Sequence, residues 1–487
     1  MFSHVKISLS TLFVLLITFY ANAQLKLPNV ITSNMVLQQQ QPVPVWGWAG
    51  KGATVSVQFG GQEKSTKADE NGYWKISLSS LKASAEPAQM TIISAGQTIT
   101  LNNILVGEVW LCSGQSNMEY PMKKGYSRTP PARGADSAAM ELSVNNPQIR
   151  LFNVKRDLSG PDVVTTGWQE CKGEALEQFS ALGYFFAKNI QNKLQVPIGI
   201  LFTSWGGTQI EPWTPVSAYL KMPAFKDEAT KTPKLMNGVE PGKIYNSMVK
   251  PLAPYALKGF LWYQGESNVV TEDSIRYADK MQALIESWRE AWGNNKLPFY
   301  DVMLAPHYYT HRKDKLPHNS ETLPLIWEAQ TAALAIPNTE IVTVSDLVDN
   351  LDDIHPSYKW EVGRRMAALV LSKKYGYKNM EFTGPRFKSM QVKGDKIVLT
   401  FTHSKGLKTS DGQPVNWLTI AGNDGKFVDA KAEIEGDKVS VSSPQVTEPK
   451  QVRLGWNEIA EPNLVNGAGL PAVPFRTDHT KWAYQLP

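Results

Sequence analysis

The chain is poor in cysteine and histidine and lacks any long basic, repetitive or low-complexity stretch. Its 487 residues include two cysteines, Cys112 and Cys171. Two thiols cannot make a disulfide scaffold, and no further ligands cluster with them to complete a zinc site. Cys112 lies in an apolar run, where a buried free thiol fits as well as a bridge to Cys171. The 50 basic residues exceed the 45 acidic ones by only five. With no basic run among them, nucleic acid is not an expected partner. No second apolar stretch is long enough to span a bilayer, so no membrane insertion is expected of the mature chain.

What is present is ordinary globular material. At 42% hydrophobic and 20% charged, the chain can bury large cores, and its length suggests roughly three domains at about 150 residues each. Residues 1–23 read as an export signal. Lys6 precedes a mostly apolar run from Ile7 to Tyr20, and Ala21-Asn22-Ala23 has the small-x-small form of a cleavage site. The mature protein is therefore expected from Gln24 onward, exported to a periplasm or the medium.

Three regions follow. Residues 24–105 alternate as short strands such as Thr54–Phe59, with turns at Gly60-Gly61 and Asn71-Gly72. From 106 to 384 strands alternate with helices. Ile198 to Ser204, Phe260 to Tyr263, Phe299 to Leu304 and Glu340 to Ser345 read as strands. Phe179, Leu182, Phe186, Ile190 and Leu194 share a helical spacing, as do Ala278, Met281, Ile285, Trp288 and Trp292. That alternation predicts a parallel sheet with helices on both faces. Pro356 is placed for the first turn of a helix running through Leu371. Residues 385–487 return to strands, as a third β domain or as a sheet packed on the first.

Four segments carry chemistry, and in an open α/β sheet they would meet at the carboxyl edge of the strands. Gly114-Gln115-Ser116-Asn117-Met118 follows an apolar strand and offers Ser116 as nucleophile. Asp352-Asp353-Ile354-His355-Pro356 offers His355 as base, with Asp352 to orient it and Asp353 as the alternative. Gly206-Gly207 offers unshielded N–H groups and Gln264 a carboxamide. With the Ser116 N–H, Gly207 and Gln264 are the expected oxyanion donors, Gly206 being the other choice. Each segment also has a plain structural reading, as a turn, a helix cap or a polar loop. Their joint occurrence favours the catalytic one.

These pieces resemble the sialate O-acetylesterase family of the SGNH hydrolase superfamily, close to the carbohydrate acetylesterases. The likeness rests on Gly107-Glu108-Val109-Trp110 with Ser113 to Met118, Ser204 to Thr208, Trp262 to Ser267, and Asp352 to Pro356. Asn34 to Gln39, Gly469 to Ala472 and Pro474-Phe475-Arg476 extend it over nearly the whole mature chain. The resemblance implies an α/β class fold, a three-layer α/β/α catalytic domain with flanking β-sandwich-like domains. It also implies a serine–histidine–aspartate mechanism with no metal or cofactor, acting on an O-acetylated carbohydrate. The wider superfamily places an asparagine in the oxyanion hole where this chain has Gln264. Asn117, Trp205 and Glu266 are candidate substrate contacts. Trp205, Trp213, Trp262 and Tyr263 form either a sugar-stacking platform or core.

His307 and His311 stand four apart, but without the intervening glutamate of a metalloprotease they read as a rim loop. Two other functions remain: an esterase for acetylated xylan or another plant polysaccharide, and a non-catalytic carbohydrate-binding surface protein. A histidine base further predicts loss of kcat/KM on the acid side, with a flat profile between about pH 5 and 8 counting against it.

Overall fold

A computed structural model describes residues 24–123, 131–133, 137–232, 235–313 and 316–478. The export-signal reading of residues 1–23 lies outside them. Among the described residues no helix is long and apolar enough to cross a membrane.

The centre is a sheet in the order Thr339–Val342, Phe299–Val302, Gly259–Tyr263, Gln97–Gly114, Ile198–Ser204, Asn146–Val154, Thr165–Cys171. Neighbours are parallel except the last pair. The strands are apolar along their length because helices cover both faces. Trp110 meets Phe186 of the helix Ala181–Leu194 edge to face. Phe260 and Trp262 meet Trp288 of the helix Arg276–Ala291 in the same way. Such pairs add roughly 0.5–1.5 kcal/mol beyond burial. The helix Ala181–Leu194 starts where Ser180 accepts a bond from the Gly183 N–H at 3.0 Å.

The N-terminal β region has no linker to this sheet. The strand Gln97–Gly114 is 18 residues long, so the boundary expected at 105/106 falls within a single strand. Its first half pairs with Ser84–Ser94, and Val36–Gln38 runs parallel to Leu105–Gly107. Gln38 and Gln39 both donate to the buried Glu108 carboxylate at 2.8 Å, and Gln38 also accepts from the Val109 N–H. One hydrophobic core accordingly runs from Leu25 to Phe382 and takes in Val473 near the C-terminus. The Gly60-Gly61 turn joins two paired strands, both glycines at positive φ as a tight hairpin requires. The Asn71-Gly72 turn instead passes between ladders: Gln62–Lys67 pairs with Thr54–Phe59, and Tyr73–Leu78 with Val43–Trp48.

The C-terminal region is a separate antiparallel sandwich. Arg386–Lys393, Lys396–Thr402, Lys438–Ser442 and Lys431–Glu435 form one sheet, and Leu418–Ala421 and Gln451–Leu454 lie in the other. Ile397, Leu399, Ile420, Val439, Val452 and Leu454 fill a core of its own. It joins the α/β region through Val473, buried in the first core, and by polar contacts: Arg453 and Trp456 with Glu321, Arg476 with Glu328, and Arg386 with Glu340. Cys112 and Cys171 are buried free thiols, which settles the open pairing.

Candidate active site

Strand register assembles the site. Gly114 lies beside Ser204 on one side and Tyr263 on the other, so the three following turns leave the sheet at one edge. Gly114 has φ +143°, and a Cβ there would stand 2.1 Å from the Tyr263 carbonyl oxygen. Only glycine lets the strand end so close to its neighbour. The chain then turns through extended Gln115 into the short helix Ser116–Glu119.

His355 arrives from a loop. Its Nε2 lies 2.8 Å from Ser116 Oγ. With the hydroxyl as donor, the imidazole is neutral and carries its proton on Nδ1. Behind it stands Asp353, which accepts the His355 backbone N–H at 3.0 Å and places Oδ1 3.8 Å from Nδ1. Asp352, the acid expected there, points elsewhere. Its carboxylate meets His311 Nδ1 at 2.7 Å on an exposed part of the rim. The cause is local. The Asp352 N–H bonds the Asn350 side chain and the Asp353 N–H its carbonyl, and this turn sends the two carboxylates to opposite sides. The helix after the loop spans Lys359–Lys374, so Pro356 precedes it by three residues instead of occupying its first turn.

The two glycines separate cleanly. The Gly206 N–H donates to Glu119 Oε2 at 3.0 Å. Gly207 has φ +75°, lines the cleft, and its N–H meets no acceptor among the described residues. Gln264 does not reach the cleft. It is fully buried, and its Nε2 donates to Gln115 Oε1 at 3.1 Å, the Thr208 carbonyl at 3.1 Å and Asn268 Oδ1 at 2.7 Å. With its amide hydrogens directed inward, Gln264 braces the neighbouring turns and does not present its amide to the cleft.

The candidate substrate contacts are also redistributed. Asn117 is buried and bonds Glu266, the Ile354 carbonyl and Lys359. Glu266 lines the cleft wall, but its carboxyl faces inward to Asn117. Trp205 packs against the core outside the cleft lining, and Trp213, Trp262 and Tyr263 are fully buried, so no sugar platform forms from them. His307 is buried and His311 is taken by Asp352, on the rim loop. No group of metal ligands occurs among the described residues.

The resulting cleft, about 610 Å³, is lined by Ser116, His355, Gly207, Glu119, Arg156 and Arg312, with Gln115, Gln209, Ser267 and Thr271. Arg156 pairs with Glu119, the carboxylate that also holds the Gly206 N–H. Burial pushes the His355 imidazole down to about 4; the nearby Lys359 charge acts the same way and Asp353 opposes it. Burial raises the Glu266 carboxyl above the usual range. Gln115, Glu119, Asp353 and Lys359 were not singled out as primary site residues by sequence reasoning. Their nearness to Ser116 or His355 in the chain was the only available signal.

A serine hydroxyl bonded to a neutral histidine, at the carboxyl edge of a parallel sheet and beside a free backbone N–H, defines a serine-hydrolase type of α/β protein. The comparisons give the family. The profile described as "Carbohydrate esterase, sialic acid-specific acetylesterase" matches residues 106–372. The chain belongs to that family. It is 29% identical over 407 residues to the sialate O-acetylesterase of Homo sapiens, covering 77% of this chain and 76% of that one. The Rattus norvegicus enzyme is 28% identical over 439 residues, covering 78% and 79%. A solved carbohydrate acetylesterase from Xanthomonas citri superposes with a TM-score of 0.82 at 34% identity, covering 93% of this chain and all of that one.

Proposed function

We propose that this chain is an exported serine esterase that removes O-acetyl groups from carbohydrates, sialic acids or related glycans, through an acetyl-serine intermediate. The observation that carries it is the 2.8 Å contact between Ser116 Oγ and His355 Nε2 inside a cleft large enough for a sugar. A binding protein has no need of that pair. Family membership narrows the ester to a sugar acetate.

The mechanism follows from atoms in place. His355 Nε2 takes the Ser116 proton as Oγ bonds to the acetyl carbonyl carbon. The oxyanion faces the N–H groups of Ser116 and Gly207. Asp353 keeps the Nδ1 proton facing itself and stabilises the imidazolium. On collapse His355 returns its proton to the sugar oxygen, the C–O bond breaks and the alcohol leaves. Water, deprotonated by His355, then attacks the acetyl-serine carbonyl; His355 returns that proton to Ser116 Oγ as the acyl C–O bond breaks and acetate leaves. Arg156 and Arg312 on the wall favour an acidic sugar, although Glu119 offsets the first.

Acetate release from acetylated sialosides and acetylated xylo-oligosaccharides, wild type beside Ser116→Ala, tests the reading. Release confined to sialosides and abolished by the substitution supports it. Release confined to xylo-oligosaccharides moves the substrate, and equal release by both proteins rejects the serine. The export reading rests on the sequence of residues 1–23 and predicts a mature N-terminus near Gln24 on sequencing of the secreted protein.

A further inference from the structure

Lys359 is a lysine where physics disfavours one. It is 1% exposed and begins the helix Lys359–Lys374, next to the positive end of the helix dipole. Burying an ammonium costs several kcal/mol unless it is well paired. Its Nζ is held by two acceptors, Asn117 Oδ1 at 2.9 Å and the Pro356 carbonyl, and by the ring faces of Tyr120 and Tyr263 at 4.8 and 5.9 Å. Asn117 follows the nucleophile directly, and Pro356 follows the base. Asn117 Nδ2 in turn donates to the Ile354 carbonyl at 3.0 Å and to Glu266 Oε1.

We propose that Lys359 is a positioning residue, tying the Ser116 turn to the His355 loop through Asn117 and the Pro356 carbonyl so that Oγ and Nε2 stay in contact. The inference rests on the esterase reading above. The loop needs such a tie because no strand holds it, and a misplacement of about 1 Å can lower a rate roughly 100-fold.

The charge has a second effect. The groups acting on the imidazole are Lys359 and His307, which disfavour its protonation, and Asp353, which favours it. Glu119, Arg156, Glu266 and Arg312 face the same cleft. Lys359 itself is brought down to about 7 by burial, with Glu266 and Asp353 opposing. It is therefore charged throughout the acid range in which His355 titrates. Removing that charge raises the histidine pKa and moves the acid limb of kcat/KM to higher pH.

The test is the pH profile of the full chain on a small activated acetyl ester, for wild type, Lys359→Met and Lys359→Arg. Lys359→Met is expected to lower kcat about 10- to 100-fold with little change in KM, and to shift the acid limb up by about one pH unit. Lys359→Arg keeps the charge and should return the acid limb to its wild-type place even where kcat stays low. A folded Lys359→Met protein with wild-type kcat, or one with lowered kcat and an unmoved acid limb, overturns the proposal. Should Lys359→Met fail to fold, Asn117→Ala tests the tie from its other end. It is expected to lower kcat and leave the acid limb in place, and unchanged kcat would overturn the proposal. Ser116→Ala in the same assay reports on the esterase reading separately.

Discussion

Ser116 and His355 reach one cleft by different means. The serine stands at the end of an 18-residue strand whose last eleven residues before the turn are buried, with strands paired on both sides. The histidine sits in a loop between Val342 and Lys359, held by side-chain contacts to Asp353, Asn117 and Lys359. A strand fixes its terminal residue through ladder bonds and steric fit. A loop fixes its residue only as well as its individual ties. Substitutions should therefore act chiefly on folding at the first and on rate at the second, the nucleophile itself excepted.

The largest effect on rate belongs to that exception. Ser116→Ala should remove acetate release by at least about 1,000-fold with the melting temperature unchanged, because the hydroxyl serves chemistry and no part of the strand depends on it. Gly114→Ala, two residues earlier, should do the opposite. Its Cβ meets the Tyr263 carbonyl carbon at 2.7 Å as well as the oxygen, and neither is a flexible side chain that can move aside. A loss of about 3 kcal/mol or more is expected in denaturant unfolding. A folded, wild-type-stable Gly114→Ala protein would show that the strand end is looser than its register implies.

Next in size is the acid behind the histidine. Asp353→Asn should reduce kcat about 100-fold, since the Nδ1 tautomer loses its nearest carboxylate, while folding is retained. Asp352→Asn should change kcat by less than about threefold, because its partner is His311 on the exposed rim. The two measurements together decide the assignment. The reverse order would return Asp352 to the triad and mean that the loop rearranges when substrate binds.

Much of the strand-held half was legible in the sequence. Apolar runs ending in Gly-Gln-Ser, Ser-Trp-Gly-Gly and Tyr-Gln-Gly-Glu marked three strand ends, and parallel pairing alone brings them to one edge. The α/β alternation and both amphipathic helices follow from side-chain spacing, which is a local property. What escaped was set at long range. The strand that fuses the N-terminal β region to the sheet crosses the boundary expected at 105/106, because its polar first half pairs with Ser84–Ser94 near solvent while its apolar second half enters the parallel sheet. Gln264 looks like a free donor until Thr208, Asn268 and Gln115 converge on it. Asp352 and Asp353 are indistinguishable by spacing; the bonds of the Asn350 turn part their carboxylates, and His311 from another loop takes up that of Asp352.

The smallest expected effect is on pH, and it reverses the expectation drawn from an unperturbed histidine. The base acts when neutral, so kcat/KM falls as pH drops through the pKa of the free enzyme. For an exposed imidazole that point lies near 6.5, and the rate would rise roughly 30-fold between pH 5 and 8. Here burial, aided by Lys359, brings His355 to about 4. The imidazole is then already neutral at pH 5, and raising the pH to 8 adds almost no further base. Ester hydrolysis should vary by less than about twofold across that interval and fall only below about pH 5. A flat profile thus becomes the signature of this loop-held histidine. A midpoint near 6.5 would mean that water reaches His355 freely, and that the loop is more open in solution than its ties to Asn117 and Lys359 allow.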